Sequence, residues 1–128
     1  MKPSASSGRP ENLDISTIKL PLAAITSITH RISGVILFVA IGILLWMLDL
    51  SLASEASFSR LEEILSAGWA RFILWGIFSA LAYHMVAGCK HLLMDMGVGE
   101  TKAAGPRGAT IVIIVSAILI VAIGMYLW

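Results

Sequence analysis

Charged residues are scarce in this sequence of 128 residues: Lys, Arg, Asp and Glu together make up 13%, whereas 58% of the residues are hydrophobic. Soluble domains carry about 25% charged residues, so this composition excludes an ordinary soluble globular protein. Cysteine is almost absent, with Cys89 the single example. One thiol excludes an internal disulfide, and it is too few for an iron–sulfur cluster or a cysteine-rich zinc site within the chain. The apolar neighbours of Cys89 predict that it is buried.

Charges are also absent from three long stretches of the sequence. These stretches are Ile32–Leu48, Phe72–Cys89 and Gly108–Trp128. Each approaches the roughly 20 residues that a helix needs to cross a bilayer, and the apolar and hydroxylated residues 21–29 extend the first one upstream. No room remains for a nucleotide-binding or hydrolytic domain, so any catalysis by this chain depends on partners or cofactors.

The predicted fold is therefore an all-α membrane protein with three transmembrane helices. The arm at 1–20 precedes a single membrane domain at 21–128, whose spans are predicted at about 22–49, 69–93 and 107–128. Glycine and proline predict that the second and third spans are joined by a loop containing Gly97, Gly99, Gly105, Pro106 and Gly108. We expect no nucleic-acid partner.

The distribution of Lys and Arg predicts the orientation of the chain. Four of these residues precede residue 32 and three lie in 90–107, whereas the connection 49–71 has two and the segment after Arg107 has none. By the positive-inside rule, the N-terminal arm and the second connection are cytoplasmic and the C-terminus is periplasmic. The first 14 residues lack an apolar stretch, so no cleavable signal peptide is expected.

Ionisable residues inside a predicted span are candidates for function because a bilayer disfavours them. His84 lies six residues before Lys90, which places it about 9 Å inside the membrane boundary. Its neighbours at four-residue spacing are small: Gly76, Ala80 and Gly88. His84 could be a haem iron ligand beside a backbone that a flat macrocycle can approach, or it could hydrogen-bond between helices that pack on small residues. His91, one heptad further on, is expected to be solvated or at the lipid headgroups.

A second polar group lies in the first span at a similar depth. Ser27, Arg31 and Gly34 share one helical stripe and His30 lies beside it. A hydroxyl, a permanent cation and a gap without a side chain suit a polar head group such as a quinone carbonyl or a haem propionate. Alternatively, Arg31 snorkels to the headgroups and Ser27 hydrogen-bonds to its own helix.

Two motifs resemble those of a known family, the large cytochrome b membrane anchor of succinate dehydrogenase (respiratory complex II). The first is Arg9-Pro10 followed by the segment Ser27-Ile28-Thr29-His30-Arg31-Ile32-Ser33-Gly34. The second runs from His84 through Gly88, Lys90 and His91 to Asp95 and Gly97. Together with three spans in the expected places, the resemblance covers essentially the whole chain.

The resemblance implies a haem b shared with a second small membrane-anchor subunit, with His84 as one axial ligand of the iron and His30 and Arg31 near the propionates. It also implies a ubiquinone site that uses Ser27 and Arg31. The implied partners are a flavoprotein subunit and an iron–sulfur subunit, and the implied location is a bacterial inner membrane. The activity implied is that of a succinate:quinone oxidoreductase whose succinate-oxidising site is not on this chain.

Two alternatives remain open at this point. One is a helical membrane subunit without redox function, in which His30, Arg31 and His84 line an ion or proton path. The other keeps the haem but takes both axial ligands, His84 and His30, from this chain. One residue departs from the family pattern: Lys90 stands where arginine is common, which keeps the charge but loses the planar bidentate fork.

Overall fold

A computed structural model describes residue 14 and residues 17–128, and within them the chain forms four α-helices and no strand. The helices are α1 (Leu22–Ala53), α2 (Glu55–Ser66), α3 (Gly68–Asp95) and α4 (Ala104–Leu127). Most of the predicted arm at 1–20 lies outside the described residues. The all-helical fold is confirmed.

Three of these helices, α1, α3 and α4, are long and apolar enough to cross a membrane. In their most apolar segments only 6%, 22% and 11% of the residues, respectively, are buried within the chain. Large apolar side chains such as Phe38, at 78% exposure, therefore need hydrocarbon or another protein against them. The three predicted membrane helices are confirmed, although α1 and α3 extend a few residues beyond the predicted spans.

The short helix α2 is absent from the sequence-based prediction, which treats 49–71 only as a connection. It begins at a capping box in which the Ser54 hydroxyl accepts the Ser57 backbone N–H at 3.1 Å and the Ser57 hydroxyl accepts the Ser54 N–H at 2.9 Å. Leu61 of α2 is buried. The charged residues of α2, which the prediction placed in a connection without secondary structure, are exposed. The Arg71 Nε donates to the Leu65 carbonyl at 3.2 Å and joins α3 to the end of α2.

The loop between α3 and α4 is shorter than predicted. α3 ends in a Schellman motif: Val98 N–H donates to the Leu93 carbonyl and Gly97 N–H to the Met94 carbonyl, both at 2.9 Å, with Gly97 at φ +82°. Gly105, Pro106 and Gly108, predicted to lie in the loop, instead lie within α4. Proline is tolerated there because the first N–H groups of a helix have no intrahelical acceptor.

Hydrogen bonds from side chains hold the helices against one another. The Trp75 Nε1–H of α3 donates to the Ile120 carbonyl of α4 at 3.0 Å, and its ring lies where a side chain on Gly124 would otherwise be. The Tyr83 hydroxyl of α3 lies 3.0 Å from the Thr26 carbonyl oxygen of α1 and also contacts the Thr29 hydroxyl. α1 and α4 therefore both pack against α3, and the bonds of Tyr83 to α1 lie one residue before His84.

Candidate functional site

The imidazole of His84 projects from α3 against α1 and is held there through one ring nitrogen. Its Nδ1 lies 3.0 Å from the Ser33 hydroxyl oxygen and 3.2 Å from the His30 carbonyl oxygen. Ser33 is buried and uses its only proton to donate to the same His30 carbonyl at 2.6 Å. Both oxygens near Nδ1 can then only accept, so the network assigns the proton to Nδ1.

With the proton on Nδ1, the lone pair of the His84 ring lies on Nε2. Within the described residues, His84 Nε2 makes no hydrogen bond. A neutral histidine whose Nδ1–H donates to a carbonyl while Nε2 is free has the arrangement of a metal-ligating histidine. Within the described residues, no cluster of three or more His, Cys, Asp or Glu side chains could hold a metal ion by itself.

Gly34 provides the space in which the His84 ring sits. A Cβ added at Gly34 would lie 3.2 Å from His84 Cε1. The sequence-based interpretation of Gly34 as a gap for a ligand is therefore wrong, because α3 fills this gap with His84. The small residues around His84 differ in their surroundings: a Cβ added at Gly76 would meet nothing within 4 Å, whereas a Cβ added at Gly88 would lie 3.4 Å from His30 Nε2.

His30 stacks on His84, with ring centroids 4.1 Å apart and planes inclined by 13°. Its Nε2 is buried and has no hydrogen-bond partner in the described part of the chain. The two rings lie face to face, so no macrocycle would fit between them. The arrangement therefore argues against the alternative in which His84 and His30 ligate the same haem.

His91 joins this group, which differs from the expectation that it is solvated. Its ring is half-buried and its centroid lies 5.1 Å from that of His30 at an angle of 54°. The sequence indicates that His91 and His84 project from the same side of α3, because they are seven residues apart and share a helical face. The rotation of α3 about its own axis, which decides what that face meets, was not available from the sequence.

Ser27 and Arg31 lie one turn apart on α1, with Arg31 exposed and Ser27 half-buried. Neither makes a hydrogen bond to a described residue, whereas the neighbouring Thr26 and Thr29 hydroxyls donate to carbonyls one turn back in α1. The alternative in which Ser27 hydrogen-bonds to its own helix is not observed. A free hydroxyl and a free guanidinium are therefore available to a ligand beside the histidine cluster formed by His30, His84 and His91.

Three residues near the site were missed or misjudged from the sequence. Tyr83 was not singled out, although a tyrosine beside His84 opposite two threonines in an apolar helix is a recognisable interhelical bonding pattern. The contact of Ser33 with His84 was not predicted. Cys89, predicted to be buried, is exposed, since it lies on the side of α3 that turns away from α1.

The site is thus that of a helical membrane protein that presents the free Nε2 atoms of His84 and His30. Beside them, near the start of its first helix, lie two polar side chains, Ser27 and Arg31, that make no hydrogen bond to a described residue. A family model described as "Succinate dehydrogenase/Fumarate reductase transmembrane subunit" matches residues 5–123. The chain belongs to this family.

Individual relatives agree with that assignment. The chain is 40% identical over 121 residues to the succinate dehydrogenase cytochrome b556 subunit of Coxiella burnetii, covering 94% of this chain and 97% of the relative. It is 37% identical to the corresponding subunit of Paracoccus denitrificans, covering 71% and 70%, and 33% identical to that of Rickettsia felis, covering 82% of each. The resemblance inferred from the two motifs is confirmed.

Proposed function

We propose that this chain is the haem b-binding membrane anchor of a succinate:quinone oxidoreductase and forms part of its ubiquinone-reduction site. The observation that carries the proposal is the His84 ring, whose Nδ1–H is held by Ser33 and the His30 carbonyl while Nε2 stays free. The naming of the relatives as cytochrome b556 subunits supports haem as the ligand.

The residues present fit a haem. His84 Nε2 would be one axial ligand, and a second small anchor subunit would supply the other, since the stacked His30 ring is not placed to do so. The buried, unpartnered Nε2 of His30 can donate to a propionate, and Arg31 adds a permanent positive charge beside it. When bound, the haem supplies one-electron redox chemistry, and Ser33 and the His30 carbonyl hold the ligating ring in place.

Ser27 and Arg31 would bind the head group of ubiquinone. The Ser27 hydroxyl can donate to one carbonyl oxygen, and the Arg31 guanidinium stabilises negative charge that develops on the ring during reduction. Both side chains are free of competing bonds within the described residues. Electrons and protons would be delivered to a quinone held at this end of α1.

The proposed partners follow from the surface and from the family. A flavoprotein subunit and an iron–sulfur subunit would carry electrons from succinate, and the second anchor would cover part of the exposed apolar surface of α1, α3 and α4. The proposed location is the bacterial inner membrane, with the arm and the histidine cluster toward the cytoplasm, as the Lys and Arg distribution predicts.

The axial-ligand assignment is tested with His84→Ala in the intact complex. Loss of Nε2 should abolish or shift the b-type bands in a reduced-minus-oxidised spectrum, while flavin content shows that the complex still assembles. Tyr83→Phe is the matched control, because it alters the adjacent residue of α3 without touching the imidazole. An unchanged spectrum in His84→Ala would refute the assignment, and an intact wild-type complex without haem would favour the ion-path alternative.

The quinone site is tested with Ser27→Ala and Arg31→Leu. Each should lower succinate:quinone activity several-fold or more, because a hydrogen bond to a charged group contributes about 1.5–3 kcal/mol, whereas succinate oxidation with an artificial soluble acceptor should persist. Ser51→Ala and Arg60→Leu, at the other end of the helices, should leave both activities unchanged. Equal loss of both activities in Arg31→Leu would point to failed assembly and contradict the proposed role.

A further inference from the structure

A second polar feature lies where α3 and α4 meet, away from α1. The end of α3, the loop that follows it and the start of α4 enclose a cavity of about 460 Å³ whose lining includes Lys90, Thr101 and Arg107. The Lys90 stem packs against α4, where a Cβ added at Gly108 would lie 3.3 Å from Lys90 Cε. Gly108 thereby lets the stem lie flat and carry its ammonium group to the edge of the cavity.

Neither cation of this cavity has an anionic partner in the part of the chain that the structure describes. Among the described residues, Lys90 and Arg107 form no ion pair, although Asp95 and Glu100 belong to the same turn region. The cavity therefore holds two unpaired positive charges at the ends of two membrane helices, and these charges should attract an anion.

The cavity continues into an apolar groove. A second concavity of about 660 Å³ shares Val86 and Cys89 with the first and runs between α3 and α4 as far as Phe78 and Tyr126. Its lining carries no charged residue. From Lys90 to Phe78 the rise of α3 is about 18 Å, close to the roughly 15 Å that one leaflet contributes to the hydrocarbon core.

We infer that this α3–α4 groove binds an anionic phospholipid, with the phosphate between Lys90 and Arg107 and an acyl chain along the apolar part. A basic pocket between transmembrane helices that opens into an uncharged groove one leaflet long matches the two halves of such a lipid. Arg107 offers the phosphate a planar fork and Lys90 a point charge. The inference does not depend on haem or quinone binding.

The test uses the complex that the chain forms, released from its membrane in mild detergent, depleted of lipid and titrated with dioleoyl phosphatidylglycerol under native mass spectrometry. Phosphatidylglycerol should bind more tightly than dioleoyl phosphatidylcholine. Each of Lys90→Gln and Arg107→Gln should weaken phosphatidylglycerol binding by about fivefold. This factor corresponds to about 1 kcal/mol, the contribution of one Lys or Arg near an anionic headgroup. Lys102→Gln removes a positive charge from the loop between α3 and α4, but Lys102 is not in the lining, so this substitution should have no effect.

A second variant probes the apolar half. Cys89→Trp places a large ring where the two concavities join, at an exposed position that tolerates it, and should prevent binding while both cations remain. Equal binding of the two lipids, an effect of Lys102→Gln as large as that of Lys90→Gln, or unchanged binding in Cys89→Trp would overturn the proposal. Absence of any bound phosphatidylglycerol from the wild-type complex would overturn it as well and would indicate that a protein partner fills the groove.

Discussion

Replacing Ser33 with alanine removes one of the two oxygens that accept the His84 Nδ1–H. The other, the His30 carbonyl at 3.2 Å, remains. The donor therefore keeps a partner, and the loss is that of one net hydrogen bond, about 1 kcal/mol. We expect Ser33→Ala to assemble and, if His84 ligates haem as proposed, to retain it.

The effect should appear in the haem midpoint potential. An acceptor on Nδ1–H makes the imidazole a stronger electron donor, which favours ferric iron, so removing the acceptor should raise the potential. For a one-electron couple, 59 mV corresponds to about 1.4 kcal/mol. If the variant destabilised only the oxidised form, by about 1 kcal/mol, the potential would rise by about 40 mV. This shift is an upper bound, because the reduced form is also destabilised by the lost hydrogen bond.

The assay is a redox titration of the haem absorbance band in the purified complex. Ser33→Thr keeps the hydroxyl and should restore the wild-type potential. Ser116→Ala is the matched control, because Ser116 is also buried in a membrane helix but its hydroxyl has no partner within the described residues. An unchanged or lowered potential in Ser33→Ala at full haem content would refute the role given to Ser33.

Two further substitutions test the packing around His84. Gly34→Val should displace the imidazole, because even a Cβ at this position would lie 3.2 Å from His84 Cε1. The variant should therefore have a lower haem content in the pyridine haemochrome assay. Gly42→Val should keep its haem content, because a Cβ at Gly42 meets nothing within 4 Å. Equal haem loss in both valine variants would show that bulk on α1, rather than contact with His84, is responsible. Tyr83→Phe removes the hydroxyl that reaches the Thr26 carbonyl and should lower stability by about 0.6–1 kcal/mol, seen as a lower midpoint of thermal unfolding in detergent with an unchanged haem spectrum. A changed spectrum without a lower midpoint would contradict a purely structural role for Tyr83.

The membrane helices could be predicted because their signal is the absence of charge over most of a span, as in Phe72–Cys89. The short helix α2 has a different and weaker signal, a Ser54–Ser57 capping pair followed by apolar positions at helical spacing. Gly105 and Pro106 were misassigned because both residues are common in loops and are also tolerated in the first turn of a helix, and only the position of the helix start distinguishes the two.

The residues of the candidate site could be singled out from the sequence, but the contacts between them could not. His30, Arg31 and His84 were identified from the cost of placing them in a bilayer, and their shared depth followed from the antiparallel spans. The Ser33 bond to His84, the stack of His30 on His84 and the exposure of Cys89 all depend on how α1 and α3 are rotated about their axes. Helices that are apolar on nearly every side do not encode that rotation in their hydropathy pattern.

The buried residues of α1 are Thr26, Ser33 and Ala40, one every seven residues. A seven-residue seam stays on one face only if the helices supercoil slightly, left-handed, around each other. A single inserted residue between Thr26 and Ala40 would turn the rest of α1 by about 100° and interrupt the buried seam that these residues form with Ser33. Changes in chain length among relatives should therefore fall before Thr26 or after Ala40, because the bonds of α1 to Tyr83 and His84 depend on its register.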